Sequence, residues 1–305
     1  MEDRALLVTL DPTAERLLER HLATAKEWFP HEFVPWSRGR DFTPEERWDP
    51  EACPMPPAVR SALYVNLLTE DNLPYYFHTI DNRFGEDRDS AFRTWNRRWA
   101  AEENRHAIVM RDYFMVTRAL DPVALERARM AQMCQAVVPE PDSVGDALAY
   151  VALQELATRI SHRNTGKLLE DRLGYEVMAR VAADENLHYL FYRDLVTAAL
   201  EVDPSGMVCA IERQVREFEM PGVGIIDFAA HAAAIARAGI YDFVIHHEQI
   251  LVGVVLRHWK VDELEGLDPA AEEARQSLIA HIERVGRVAR RFAERRSDAP
   301  LVAVH

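Results

Sequence analysis

Apolar residues recur at three- and four-residue steps along almost the whole chain, and runs of alternating β-branched residues are nearly absent. The pattern predicts a first helix from about 11–12 to just before Trp28. Long helices follow over about 59–81, 89–119, 143–170, 174–202 and 269–296. A shorter helix is expected after Asp121-Pro122, another over about 204–219 ending at Pro221, and a further one over 226–258 broken near Gly239. The 59–81 pattern should kink or break near Pro74, since proline removes a donor and crowds the preceding turn. Several of these patterns are far longer than the mean globular helix of about 11–12 residues. Four long helices packed near-antiparallel make a bundle.

The stretch from 30 to 58 reads differently. It carries Pro30, Pro35, Pro44, Pro50, Pro54, Pro56 and Pro57, interleaved with or next to Trp28, Phe33, Trp36 and Trp48. Prolines at that density exclude a helix, and the aromatic side chains favour burial, so an ordered loop laid over a surface is expected. The expected architecture is all-α and a single domain over 1–305. It comprises an N-terminal helix and aromatic loop (about 1–58), a bundle core (about 59–202) and additional helices (about 203–296).

Composition narrows the function. Glycine is sparse at 12 residues, against turn-rich β architectures. The 36 basic and 50 acidic residues leave a formal net charge of −14, which disfavours nucleic acid as a partner. All but three of the basic residues (Lys26, Lys167 and Lys260) are arginines. Cys53, Cys134 and Cys209 form neither a CxxC pair nor an even set, so they suit a reducing compartment. The N-terminal residues lack a signal pattern, and no apolar run approaches the roughly 20 residues of a membrane span. A cytoplasmic protein with no transmembrane segment is the expectation.

Two ExxH pairs, Glu103/His106 and Glu185/His188, lie inside long helical patterns. Residues three apart share a helix face, so each pair presents a carboxylate and an imidazole together. One such pair is a weak signal, but its surroundings repeat. An acid directly precedes each motif (Glu102 and Asp184). Glu70 stands 33 residues before Glu103, and Glu155 stands 30 before Glu185, each in an otherwise apolar helix. The order Glu…ExxH…Glu…ExxH is a helix pair used twice, the ligand set of ferritin-like di-iron and di-manganese bundles. Four carboxylates balance two divalent cations, so an assembled site is close to neutral and can sit in a dry core. Without metal they would repel one another unsolvated. Oxygen donors with imidazole favour iron or manganese over soft-ligand metals.

On these residues the sequence resembles the soluble acyl-acyl-carrier-protein desaturases of plastids and actinobacteria. The segments that carry the resemblance are Thr69-Glu70-Asp71-Asn72-Leu73-Pro74, Trp99-Ala100-Ala101-Glu102-Glu103-Asn104-Arg105-His106, Gln154-Glu155-Leu156-Ala157-Thr158-Arg159-Ile160-Ser161-His162, Ala183-Asp184-Glu185-Asn186-Leu187-His188 and Arg257-His258-Trp259-Lys260-Val261-Asp262. The resemblance implies a ferritin-like di-iron bundle with additional helices. Glu70 and Glu155 would be terminal ligands of two irons, Glu103 and Glu185 bridges, and His106 and His188 one nitrogen ligand each. It also implies that Thr158 lies beside the oxygen-binding face, against the plainer reading of a threonine bonded back to its own helix. Asp184 would hold the second nitrogen of His106. Trp28 would begin an electron path through Asp184, or be an aromatic-loop core residue. Glu102 would be the symmetric acid, or a solvated charge.

The implied reaction is oxygen-dependent insertion of a cis double bond into a fatty acyl chain, in fatty acid biosynthesis. The chain would be carried on acyl carrier protein and the electrons supplied by a ferredoxin-type donor, with the enzyme a homodimer. An acidic carrier requires a local basic patch. One candidate is Arg16, Arg20 and Lys26 on the first helix; the other is Arg284, Arg287, Arg291 and Arg295 on the last. Met110, Phe114, Met115 and Tyr189 are within reach of the site by helical spacing but equally serve as core. His246-His247 reads as surface. The ligand set alone leaves open a di-iron hydroxylase or N-oxygenase acting on a carrier-bound or small substrate, and a ferritin-like iron-binding protein without enzymatic role. A radical-bearing reductase subunit is disfavoured because Met110 stands where its tyrosine belongs.

Overall fold

The computed structural model of the chain describes residues 1–43, 45–85, 87, 89–135, 138, 140–220, 222 and 224–298. Pro44 and Pro221, named above, lie outside the described residues. The chain is 77% helical, with no strand among the described residues. In order the helices are α1 (Asp3–Thr24), α2 (Pro30–Phe33), α3 (Pro57–Glu70), α4 (Leu73–Arg83), α5 (Ala91–Thr117) and α6 (Pro122–Gln135). They continue with α7 (Val144–Lys167), α8 (Arg172–Val202), α9 (Pro204–Arg216), α10 (Phe228–Arg237), α11 (Phe243–Ile245) and α12 (Pro269–Asp298). Between α11 and α12 the helix widens to i→i+5 bonding over His246–Leu256.

Local chemistry sets the boundaries. Ser90, Ser143, Asp171 and Asp203 each accept a backbone N–H from the first turn of α5, α7, α8 and α9, satisfying donors that a helix start leaves open. The 59–81 pattern breaks into α3 and α4 at Asp71-Asn72, and Pro74 falls in the first turn of α4, where its missing N–H is harmless. Helix α1 begins eight residues earlier than the pattern suggested and carries Pro12 inside it. Val8, whose carbonyl loses its partner to Pro12, is solvent-exposed, so water can serve that carbonyl. The expected burial of the loop aromatics holds for Trp28 but fails for Trp36, which is 52% exposed and uses its Nε1 to cap His31 O at 2.9 Å.

Helices α3, α5, α7 and α8 form the bundle, with α7 and α8 the closest pair. A Cβ on Gly166 of α7 would stand 2.9 Å from the Met178 Cβ of α8, so only glycine permits that approach. The apolar core is divided in two. One part joins α1, the start of α5 (Phe92, Trp95, Trp99), the end of α8, α9 and α12. The other joins Trp28, α3, the end of α5 (Ala107, Met110, Phe114), the start of α8 and α10. The turns of α5 and α8 between these parts bury charge instead: Glu102, Glu103, His106, Asp184, Glu185 and His188 are all at most 7% exposed.

Candidate metal centre

Glu70 ends α3, Glu103 and His106 face inward from α5, Glu155 from α7, and Glu185 and His188 from α8. The structure brings all six together. Donor atoms of Glu70, Glu103, His106 and Glu185 lie within 4.8 Å of one another, as do those of Glu103, Glu155, Glu185 and His188. The two sets share Glu103 and Glu185, so two cations bound there would share two carboxylates. Each imidazole turns Nδ1 inward. His106 Nδ1 is 3.4 Å from both Glu103 Oε2 and Glu185 Oε1, and His188 Nδ1 is 2.7 Å from Glu103 Oε1.

The donor set fits a metal pair on a second ground. Glu103 Oε1, Glu155 Oε2, His106 Nδ1 and His188 Nδ1 are buried with no hydrogen-bond partner among the described residues. Buried polar atoms left without partners are costly, and coordination is what this geometry offers them. The electrostatics agree. Burial, reinforced by the Glu185 charge, pushes Glu103 up and Glu155 well up from the usual carboxylate range. Burial would raise Glu185 and Glu70 too, but the nearby imidazoles of His106 and, respectively, of His188 and His162 pull both below it. Burial disfavours charge on His106 and His188, yet the surrounding carboxylates hold both well above ordinary imidazole values. Metal-free, the cluster balances its charge with protons; cations would displace them.

Behind each imidazole stands a carboxylate from the opposite helix. His106 Nε2 lies 3.5 Å from Asp184 Oδ2, and His188 Nε2 lies 3.0 Å from Glu102 Oε2. Asp184 also accepts Trp28 Nε1 at 2.7 Å, and the Arg105 and Arg180 guanidinium groups lie 4.8 and 5.7 Å from the Trp28 ring centre. Glu102 is 3% exposed, which excludes the solvated-charge reading; Arg98 and His21 pair with it. Three partners carried no role at the level of sequence. Trp99 Nε1 donates to Glu155 Oε1 at 2.9 Å, and His162 Nε2 meets Glu70 Oε1 at 2.9 Å. Both are legible in retrospect, since Trp99 is one turn before Glu103 and His162 two turns after Glu155. His21, brought in by α1, has no such spacing to announce it.

A cavity of about 500 Å³ opens onto Glu70, Glu103, Glu155 and Glu185. Leu73, Tyr76, Ile80, Trp99 and Val151 make its inner wall mainly apolar; Glu140, Asp142, Glu217 and Glu219 are acidic elements of its lining. It extends toward α4 and the first half of α7. Met110, Phe114, Met115 and Tyr189 are not among the residues that line it, and Met110 and Phe114 are fully buried core. Thr158 lines this space, while its hydroxyl lies 3.1 Å from Gln154 O and 3.1 Å from Glu155 O, as an ordinary helix threonine does.

The remaining predicted residues are dispersed. Arg16 bonds back to Pro12 O and Thr13, Arg20 pairs with Asp194 at 2.7 Å, and Lys26 is exposed. On α12, Arg284, Arg287, Arg291 and Arg295 are exposed along one helix, with Glu283 4.0 Å from Arg287. His246 is not a surface residue: it is half-buried, with Nδ1 2.9 Å from the Tyr241 hydroxyl, and burial lowers it to about 4. Proximity of Phe218 and the widened helix turn draw it inward.

Comparison with known proteins follows the same lines. The fatty acid desaturase family model matches residues 2–304. A Mycobacterium tuberculosis protein named acyl-[acyl-carrier-protein] desaturase DesA1 is 39% identical over 288 residues, covering 91% of this chain and 84% of its own. An Arabidopsis thaliana protein named stearoyl-[acyl-carrier-protein] 9-desaturase 6, chloroplastic, is 30% identical over 289 residues, covering 88% and 72%. Among solved structures, the acyl-ACP desaturase DesA2 from M. tuberculosis superposes with a TM-score of 0.70 at 26% identity, over 88% of this chain and 99% of that one.

Proposed function

The chain belongs to the fatty acid desaturase family, and from that premise we propose that it introduces a cis double bond into a fatty acyl chain carried on acyl carrier protein, using a pair of iron ions and O2. The observation that carries this reading is the contact between the buried six-residue cluster and the apolar cavity: the cavity ends on the carboxylates that would hold the metals. Iron, for which manganese would be a substitute, would supply the activation of O2 that breaking an unactivated C–H bond needs and that no side chain provides.

The residues divide the remaining work. Glu70, Glu103, Glu155, Glu185, His106 and His188 would hold the metal pair, with Glu103 and Glu185 common to both donor sets. Glu102 accepts from the outer nitrogen of His188 and Asp184 faces that of His106, which orients both rings with Nδ1 toward the metals. Leu73, Tyr76, Ile80 and Val151 hold the acyl chain against the site and exclude water from it. Thr158 stands where a hydroxyl meets the reacting face. The line of contacts Trp28–Asp184–His106 leads from the loop after α1 to the centre, which supports electron entry there from a ferredoxin-type donor. The exposed arginines of α12 offer an acidic carrier the longer continuous basic face, since Arg16 and Arg20 on α1 are engaged locally. The family resemblance adds a homodimer. The three free cysteines suit a cytoplasmic setting, and no described helix is long and apolar enough to cross a membrane.

Incubation with iron, a reduced ferredoxin and a panel of acyl-carrier substrates tests the proposal by mass spectrometry of the released acids. Loss of two hydrogens is the expected result. Gain of an oxygen atom would replace the reading with a hydroxylase, and unchanged acids with iron and reduction verified would remove it.

A further inference from the structure

Desaturation as proposed above has a proton requirement that the centre itself does not meet. O2 takes four electrons to become two waters. Two electrons and two hydrogen nuclei come from the C–H bonds of the substrate as its double bond forms. The other two electrons come from the ferredoxin-type donor, and two protons must come from solvent. The large cavity cannot bring them while an acyl chain fills its apolar walls.

A second, smaller cavity of about 90 Å³ lies behind Glu70. Thr69, Glu70, Thr158 and Met220 line both spaces, so they form the partition between them. On the far side of that partition the smaller cavity is walled mainly by apolar side chains, and Asn66, Ser161 and His162 bring polar groups to it. His162 is 1% exposed and Asn66 7%. A carboxylate only accepts, so His162 Nε2, 2.9 Å from Glu70 Oε1, carries the ring proton and Nδ1 is an acceptor. That Nδ1 has no protein partner among the described residues, and neither does Asn66 Nδ2, which is a donor. Ser161 Oγ donates to Asn66 Oδ1 at 3.2 Å and fixes the amide with Nδ2 free.

A buried donor and a buried acceptor beside a space large enough for water are the conditions under which water is retained. One molecule accepting from Asn66 and donating to His162 would satisfy both. The outer wall is formed by half-buried Phe228 and Ala232 of α10 and by Tyr241. We infer that this cavity is a water-holding site through which solvent protons reach the reacting face, with Asn66, Ser161 and His162 positioning the water and Thr158 at the partition. The inference rests on the desaturase reading for its proton demand and on the geometry alone for the water.

Two measurements test it. A high-resolution crystal structure of the full chain should show water bridging Asn66 Nδ2 and His162 Nδ1; a dry cavity overturns the inference whatever the enzyme's activity. In the iron-loaded enzyme, Asn66→Leu should lower double bonds formed per O2 consumed by about 100-fold, the low end of what a positioned proton donor contributes. Hydrogen peroxide should appear in its place, with iron content and the ferrous absorption and circular-dichroism spectra unchanged. Ala232→Leu, which fills the cavity from its outer wall without removing a polar group, should do the same and guards against misfolding of the first variant. Wild-type coupling in both would overturn the proton route. Water in the cavity of a protein that desaturates no substrate would remove the functional reading and leave the water site standing.

Discussion

His106 and His188 both turn Nδ1 toward the centre and Nε2 onto a carboxylate from the other helix, but the two arms continue into different surroundings. From His106 the path runs to Asp184 and on to Trp28, in the loop after α1, where Arg105 and Arg180 flank the indole at the edge of the core. From His188 it runs to Glu102 and then to His21, packed inside α1 against Trp95, which is itself stacked on Phe191 at 3.7 Å. The terminal carboxylates differ as well. Glu155 is held by the fixed N–H donor of Trp99, and Glu70 by the imidazole of His162. A repeated helix pair thus supplies a symmetric ligand set, and the packing around it carries one arm through Asp184 to the Trp28 indole and the other through Glu102 to His21 of α1 and Arg98.

The largest effect should follow from taking away what both arms serve. Chelation of the metal should abolish turnover and lower stability by about 4 kcal/mol relative to protein saturated at a thousand times the dissociation constant, read as a fall in Tm. Acidification should release metal in the same direction, because the imidazole nitrogens and carboxylates coordinate only when deprotonated. Glu185→Ala removes a donor common to both sets and should cut turnover by more than the roughly 100-fold that partners outside the ligand set command, with less than full metal content by elemental analysis.

Changes confined to one arm separate the two. Asp184→Asn should cost about 10- to 100-fold in turnover, and Glu102→Gln a similar factor in metal affinity. Trp28→Phe removes only the indole N–H and ring edge; it should slow reduction of the metal pair by ferredoxin about tenfold in stopped flow, with metal content intact. His21→Ala should do the reverse. It should leave the reduction rate unchanged and destabilise the fold by about 2–3 kcal/mol in urea titration, because it opens a cavity beside Trp95. Equal kinetic effects from Trp28 and His21 variants would erase the distinction between the arms.

The legible part of this molecule is the part that repeats. Glu70, Glu103, His106, Glu155, Glu185 and His188 are readable because chemistry demands those residue types at helical spacing, and the pair is written twice. The long helices are readable by the same periodicity. What the sequence leaves unread arrives from elements with no fixed spacing to the motifs. His21 enters from α1, whose start at Asp3 Pro12 conceals, and the apolar cavity runs toward α4 rather than past Met110 and Phe114. Trp36 stays exposed, as do Phe29 and Phe42, while Trp28 is buried, since a short loop cannot bury every aromatic ring it carries. Cavities and partitions are tertiary properties, and periodicity along one chain does not encode them.

The account depends most on the claim that the six buried residues hold two metal ions that share carboxylates. Reconstitution of the purified chain with iron, followed by an iron count and Mössbauer spectroscopy of the oxidised protein, addresses it directly. The predicted result is two irons per chain in one magnetically coupled pair. A single iron, or two irons without coupling, would contradict it.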